Sequence, residues 1–469
     1  MSNITNEITK ILIDKMEREG QPKVAINTFL HYYDLLSHGS TGYISEDEII
    51  PVTPEEIDDF SVTETLRSAG ADALSKTVII KLNGGLGTTM GLSAAKSLIP
   101  VKDGLSFLDI TALQIKKLNE KFGISIPLIL MNSFNTERDS LTALEKYQEI
   151  KTEMPFSFIQ HKFPKILASN LKPVSNPKNA QLEWNPPGHG DLYAAIYSSK
   201  ILDSLLNRGY RYAFISNIDN LGATLDSGIL GYFAEKPLSF LMEVTDRTFM
   251  DRKGGHLARF KNGKLVLREI AQCPPEAAAS FSDIKRHRYF NTNNLWIRLE
   301  ALSDIWKKGL FNLPMIRNIK KLDVRDSQSP DVIQLESAMG SAISVFEKTG
   351  ALRVPRTRFA PVKNCEELLL LWSDYYELCA NYHITINPRR KAPQVNISLD
   401  QRFYGNLDQL KERFPWGAPG LAECESLKIT GDVRFGKDIS ITGQTVINNT
   451  KDTAAFIPDG SRLTGSINI

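Results

Sequence analysis

A run from Lys81 to Ser97 carries residues suited to one kind of chemistry, the handling of phosphate. It reads Lys-Leu-Asn-Gly-Gly-Leu-Gly-Thr-Thr-Met-Gly-Leu-Ser-Ala-Ala-Lys-Ser, with glycines at 84, 85, 87 and 91. Glycine has no Cβ to hold an anion away from backbone N–H groups, and it reaches positive φ freely. Lys96 ends the run with a mobile ammonium group that suits phosphate oxygens. The preceding Thr77-Val-Ile-Ile is a β-branched stretch that predicts a buried parallel strand. Strand, glycine-rich turn and lysine together point to a nucleotide phosphate. Two common phosphate loops do not fit. The dinucleotide fingerprint G-x-G-x-x-G fails at Met90, and G-x-x-x-x-G-K-[ST] fails at Met90 and Ala95.

Further along lie three more stretches with chemical content. Pro186-Pro-Gly-His-Gly-Asp-Leu-Tyr193 stiffens its approach with prolines, opens its backbone with glycines, and offers Asp191 as a cap for a following helix. His189 is thereby placed on a loop at a helix start, where spacing allows either a ligand contact or an ordinary surface histidine. Ile215-Ser-Asn-Ile-Asp-Asn220 sets Asp219 just past a strand, able to offer a hard oxygen to Mg²⁺; the same residue types also make plain turns. Glu269, Asn291 and Asn293 are the carboxylate and amides a hexose pocket needs, although asparagines at those positions equally suit strand ends. Lys363 ends Pro355-Arg-Thr-Arg-Phe-Ala-Pro-Val-Lys, where Arg356 and Arg358 make the region basic. A solvated basic loop is the simpler account of such a run.

The elements that must position these residues follow from periodicity. Short apolar runs (Val78–Ile80, Pro127–Met131, Tyr212–Ile215, Ser239–Glu243) alternate with helix-like stretches at Leu108–Phe122, Thr136–Tyr147 and Leu192–Leu206. That alternation predicts an α/β fold: a mixed, mainly parallel Rossmann-like sheet with helices on both faces. Ligands of such sheets sit at the carboxyl ends of strands. Residues 1–75 read as a mostly helical region with Ile4, Ile8, Ile11 and Leu12 on one face, 76–394 as the catalytic domain, and 395–469 as a separate unit. In that last unit Ile429-Thr-Gly, Ile441-Thr-Gly and Leu463-Thr-Gly recur, which suggests a small β-helix or β-sheet appendage after a linker at Arg389–Pro393. Ser37–Glu48 imitates a calcium loop but lacks early carboxylates; a turn and a helix cap are expected there instead.

Composition narrows the function classes. Lysine and arginine (56) nearly balance aspartate and glutamate (54), and no basic block stands out, so nucleic-acid binding is not expected. No apolar run reaches the ~20 residues of a membrane helix, and the first residues lack the pattern of a signal peptide. Cys273, Cys365, Cys379 and Cys424 lie far apart, which suggests reduced thiols and a cytoplasmic protein.

Taken together, the Lys81–Ser97 run, Pro-Pro-Gly-His-Gly-Asp, Asn-Ile-Asp-Asn, Glu-Ile-Ala-Gln and Asn-Thr-Asn-Asn-Leu-Trp resemble the eukaryotic-type UTP–glucose-1-phosphate uridylyltransferase (UDP-glucose pyrophosphorylase) family over nearly the whole chain. The resemblance implies that UTP and glucose 1-phosphate give UDP-glucose and pyrophosphate with Mg²⁺, by direct in-line attack on the α-phosphorus. It implies phosphate-neutralising roles for Lys96 and Lys363. Nucleotide contacts fall to Leu82, Asn83, Gly84, Gly85, Gly87, Thr88, Gln160 and Gly188, with Gln160 reading the base and Gly188 near the uracil. Sugar-phosphate contacts fall to His189, Asn217, Asp219, Glu269, Asn291 and Asn293, and Asp219 is the metal ligand. The family's carboxyl-terminal domain is a left-handed β-helix often used for self-association. One departure is Ala94-Ala95 where many relatives have Gly-Pro, which puts the loop's pre-organisation in doubt. Thr89 stands where the related UDP-N-acetylhexosamine enzymes have arginine, arguing against them. Two other readings remain: a broad UDP-sugar pyrophosphorylase, and a nucleotide-sugar-binding scaffold without catalysis. Retention of Lys96, Asp219 and Lys363 together argues against the second.

Overall fold

Apolar residues alternate along the central strands, and each parity feeds a different core. Ile79, Leu128, Leu130, Phe214, Leu241 and Trp296 enter one; Val78, Ile80, Ile129, Met131, Ala213, Ile215, Met242 and Leu295 enter the other. A sheet covered on both faces is the direct consequence. The structure, a computed structural model, describes residues 2–61, 63–92, 94–309, 311–323, 326–390 and 395–469. The side chains of Ile4 and Thr89, and the linker from Lys391 to Pro393, lie outside the described residues.

The main path of the sheet has eight strands: β1 (Asp58–Asp59), β2 (Thr77–Asn83), β3 (Leu128–Asn132), β4 (Ser157–Ile159), β5 (Tyr212–Asn217), β6 (Phe240–Asp246), β7 (Tyr289–Arg298) and β8 (Thr349–Arg353). Their order is β1-β8-β6-β7-β5-β2-β3-β4. Only β7 runs antiparallel to its neighbours on this path; β5, β2, β3 and β4 form a continuous parallel block. The mixed, mainly parallel sheet expected from the sequence is therefore present. Helices Phe107–Phe122, Ser227–Glu235 and Cys365–Trp372 cover the first core; Leu192–Ser198, Ile201–Asn207 and Leu299–Lys308 cover the second.

Several local expectations need correction. The helix read as Leu192–Leu206 breaks at Lys200, whose φ of 63° is left-handed. Glu48 accepts from the Ser45 amide at 2.7 Å in a turn that leads into a strand, Ile49–Pro51, not a helix. Ile11 is 45% exposed, while Ile8, Leu12 and Met16 of the helix Ser2–Arg18 are buried against Phe29 and Tyr32 of the helix Lys23–Ser37 and against Phe163, Met315 and Leu335. Residues 49–51 and 58–59 pair with strands of the central sheet.

Beyond residue 395 the strands Asn396–Leu399, Cys424–Thr430, Ser440–Asn448 and Arg462–Asn468 form a parallel sheet in that order, and Val433–Phe435 pairs in parallel with Ala455–Ile457. Leu399, Ile429, Ile447 and Ile467 stack in register across the larger sheet. The Ile-Thr-Gly motif is thus only partly structural: Ile441 pairs with Leu463, whereas Ile429 pairs with Ile447. Among the described residues no helix is long and apolar enough to cross a membrane, and all four cysteines are free.

Candidate active site

The glycine run leaves β2 and doubles back on itself. Gly87 and Gly91 both adopt left-handed φ (67° and 71°) on either side of a tight turn, Thr88–Met90. The Lys96 amide then donates to the Gly85 carbonyl at 3.2 Å, returning Lys96 to the strand end from which the run departed. Its ammonium meets the Asp219 carboxylate in a direct, largely buried ion pair. Asp219 follows β5, and the Ile218 amide donates to the Leu82 carbonyl at 3.1 Å, so the two loops emerge side by side.

Between them opens a cavity of about 280 Å³ lined by Leu82, Gly84, Gly85, Lys96, Met131, Gln160, Pro186, Gly188, His189, Asn217, Ile218 and Asp219. Leu82, Met131 and Asn217 lie in adjacent register at the carboxyl ends of β2, β3 and β5, where a parallel sheet places its ligands. Gly84 faces Gln160 so closely that a Cβ there would sit 2.9 Å from the glutamine oxygen. Gly188, at φ 79°, would drive a Cβ to 2.5 Å from the Ser337 carbonyl oxygen. At both positions close packing, besides any ligand, requires glycine. Two other cavities are larger, about 390 and 410 Å³. In the first, Arg353 is already paired with Asp59 and Asp246, and Arg356 with Asp251.

The His189 ring accepts a hydrogen bond at Nδ1 from the Met339 amide, at 3.0 Å. Burial, and then the nearby Lys363 ammonium, push its pKa down to about 4. The ring is therefore neutral near pH 7 with its proton on Nε2, which makes Nε2 a donor. Lys363 is brought in by Asn220. That buried side chain accepts from the Ala360 amide at 2.9 Å and donates to the Arg358 carbonyl at 3.2 Å, while the Val362 amide donates to the Asp219 carbonyl at 3.3 Å.

Not every expected residue lines this cavity. The Asn83 amide group turns away, donating to Asn132 Oδ1 and Ser140 Oγ at 2.7 Å each; it braces β2 against β3 and the following helix. Gly87 packs beneath Leu92 and the Lys96 stem, so it and Thr88 shape the loop without lining the space. Glu269, Asn291 and Asn293 form a neighbouring group. The Asn291 amide donates to Asn293 Oδ1 at 2.8 Å and accepts from the Asn293 backbone at 2.9 Å, holding Asn293 at φ 58°. Glu269 and Gln272 cap each other across a short turn; burial raises the Glu269 pKa while Lys363 draws it down. Gly255 links the pair: its carbonyl accepts from the Asn291 amide at 3.1 Å, and a Cβ on it would strike the Glu269 carboxyl at 2.7 Å. Asp191 does not cap the following helix but accepts from His161. Arg356 and Arg358 are not a solvated basic loop; they pair with Asp251 and Glu243. Among the described residues no cluster of three or more His, Cys, Asp or Glu side chains is arranged to hold a metal.

Met131, Pro186 and Ile218 line the cavity without having been expected, though each adjoins a marked stretch. Their apolar contribution was legible only as strand or loop ends. A family profile described as UTP–glucose-1-phosphate uridylyltransferase matches residues 26–442. The chain belongs to that family. Uridylyltransferases similar to it include those of Encephalitozoon cuniculi, 42% identical with 84% of this chain and 78% of the relative covered, and of Hordeum vulgare, 40% identical with 83% and 81% covered. A crystal structure of a UDP-glucose pyrophosphorylase mutant from Leishmania major in complex with UDP-glucose matches with a TM-score of 0.91 at 39% identity, covering 98% of this chain and 99% of that one. As a member of the uridylyltransferase family, the chain is a nucleotidyltransferase.

Proposed function

We propose that this chain joins UTP and glucose 1-phosphate to give UDP-glucose and pyrophosphate, by direct attack of the sugar phosphate on the α-phosphorus. The observation that carries the reading is the convergence of Lys96, Asp219 and open glycine backbone at the ends of β2 and β5, with Gln160, Gly188 and His189 lining the same cavity. Gly84, Gly85, Gln160 and Gly188 take the nucleotide, and His189 donates from Nε2 toward a phosphate or sugar oxygen. Glu269, Asn291 and Asn293 take hexose hydroxyls. The attacking phosphate monoester has a second pKa of about 6, so it is already ionised and no general base is needed. Lys96 and Lys363 hold the two polyanions together and balance charge as it moves to pyrophosphate.

Mg²⁺ ordinarily keeps several waters and takes one or two carboxylates together with substrate phosphates. A single carboxylate, Asp219, beside an anion-binding loop fits an ion carried in with the nucleotide. When bound, the ion supplies charge neutralisation and fixes phosphate oxygens. The stacked parallel strands after residue 395 support reading that unit as a left-handed β-helix through which copies associate. A pyrophosphate-release assay with UTP, Mg²⁺ and a panel of sugar 1-phosphates tests the activity. Glucose 1-phosphate as the clear best substrate is expected; equal use of galactose 1-phosphate would replace the reading with a broad UDP-sugar pyrophosphorylase.

A further inference from the structure

The loop that carries Gln160 is clamped from two directions. The Gln160 amide donates to the Asn132 carbonyl at 2.8 Å, which fixes where the loop leaves β4. The next residue is held by a single buried carboxylate at two atoms: Asp191 accepts from the His161 backbone amide at 2.6 Å and from its ring Nδ1 at 2.7 Å. The far side of the ring, Nε2, meets Ser198 Oγ at 2.9 Å, and that hydroxyl donates onward to the Ala195 carbonyl at 3.2 Å. The Nδ1 proton is directed at Asp191, and the Ser198 hydroxyl closes off Nε2. Burial alone would lower the His161 pKa, but the Asp191 charge and hydrogen bond outweigh it and raise it. Side chains of both partners are 6% exposed or less, so the pair is a dry histidine–carboxylate bridge.

Asp191 is also the end of the turn that carries Gly188 and His189, and that turn is pinned in its own right. The Gly190 amide donates to the Ser337 carbonyl at 2.9 Å, and the Ser337 amide to the Pro187 carbonyl at 2.9 Å. The bridge therefore joins the loop bearing Gln160 to the turn bearing Gly188, both of which line the cavity. On the other flank, the Lys162 amide donates to Gln21 Oε1 at 2.9 Å and its ammonium pairs with Glu19. Loop and turn have no freedom to drift apart while these contacts hold.

We propose that His161 is a positioning residue for base recognition: by tying the Gln160 loop to the Gly188 turn it sets the width and register of the slot that distinguishes uracil from other bases. The proposal rests on the reading of Gln160 and Gly188 as uracil contacts. A glutamine amide can present its donor and acceptor ends either way round, so it separates uracil from cytosine only where the slot holds base and amide in one mutual register. Loosening the bridge relaxes that register without touching the reacting phosphates. Contacts to the base are made in ground and transition states alike, so their loss raises KM more than it lowers kcat.

The test is steady-state kinetics of His161→Gln and Asp191→Asn with UTP and with CTP. Expected is a rise of roughly tenfold in KM for UTP with kcat within about threefold, a fall of similar size in the UTP-over-CTP ratio of kcat/KM, and an unchanged KM for glucose 1-phosphate. His161→Gln strands a buried carboxylate and can fail to fold; Asp191→Asn keeps the shape and then carries the decision. A folded variant with an undiminished UTP-over-CTP ratio overturns the role of His161. Gln160→Ala separates the two levels. If it leaves the ratio unchanged, the base-reading assignment fails and His161 falls with it; if it lowers the ratio while the bridge variants do not, only the bridge fails.

Discussion

Two charge clusters near the end of β2 differ in kind. One is Lys81, Glu243 and Arg358; the other is Lys96, Asp219 and Lys363. In the first, Glu243 is completely buried and accepts from Arg358 Nε and Nη2 at 2.7 Å, from Trp296 Nε1 at 2.9 Å and from Asn294 at 3.0 Å. Lys81 spends its ammonium on Ser216 Oγ and the Ala223 carbonyl, both at 2.7 Å. In the second, the Lys96–Asp219 pair borders open cavity and Lys363 sits at the start of a helix. Lys81 and Lys96 belong to one sequence run, yet one is scaffold and the other lines an open cavity. Residue type does not separate them; Lys81 points into the core from within β2, whereas Lys96 lies beyond the strand on the returning glycine-rich loop.

Breaking the sealed cluster should have the largest effect. Arg358→Ala leaves a buried glutamate uncompensated and is expected to lose about 3–5 kcal/mol of stability, read by urea denaturation. Breaking the open cluster should spare the fold and remove turnover. Lys96→Ala or Lys363→Ala is expected to lower kcat by roughly 10²–10³ with a melting temperature close to that of the parent; unchanged kcat in either would dissolve the contrast.

Lys81→Met sharpens it further. Burial and then Arg358 push the Lys81 pKa down to about 7, against the pull of Glu243 and Asp219. The unfolded chain holds its lysine proton up to about pH 10.5, so between pH 7 and 10.5 it binds more protons than the folded protein, and stability rises with pH. Below pH 7 the burden of the buried charge is felt in full. Denaturation midpoints measured across that window should climb less steeply in Lys81→Met, with turnover little changed. The smallest effect belongs to His189. Its folded pKa of about 4 lies below that of an unfolded histidine, so stability is lost as pH falls from 6.5 toward 4. His189→Gln should flatten that slope, whereas a kcat/KM profile of the parent should show no titration of this ring above pH 6.

The sequence made the sheet readable because Val78, Ile79 and Ile80 alternate between two cores, and a buried parallel strand needs both faces apolar. It made the glycine run readable because Gly84 and Gly85 must leave backbone open. It could not show which way a polar side chain turns. Asn83 adjoins Gly84 and reads as a ligand contact, but its pleat direction sends it to Asn132. Asp191 has the type of a helix cap, yet a residue thirty positions earlier claims its carboxylate. Arg358 reads as surface until Glu243, far away in the chain, is folded against it. Long-range partnership of this kind leaves no periodic trace in a single sequence.

Asn220 has a consequence for anyone wishing to reshape this enzyme. One carboxamide fastens the loop of Asp219 to the segment leading to Lys363, so the two segments move as a single jaw. On the proposed assignment of Asp219 and Lys363, the two cannot be prised apart to admit a bulkier substrate without disturbing both. Gly255 and Gly340 offer no slack either: a Cβ would sit 2.7 Å from the Glu269 carboxyl at the first and 2.5 Å from Leu267 at the second.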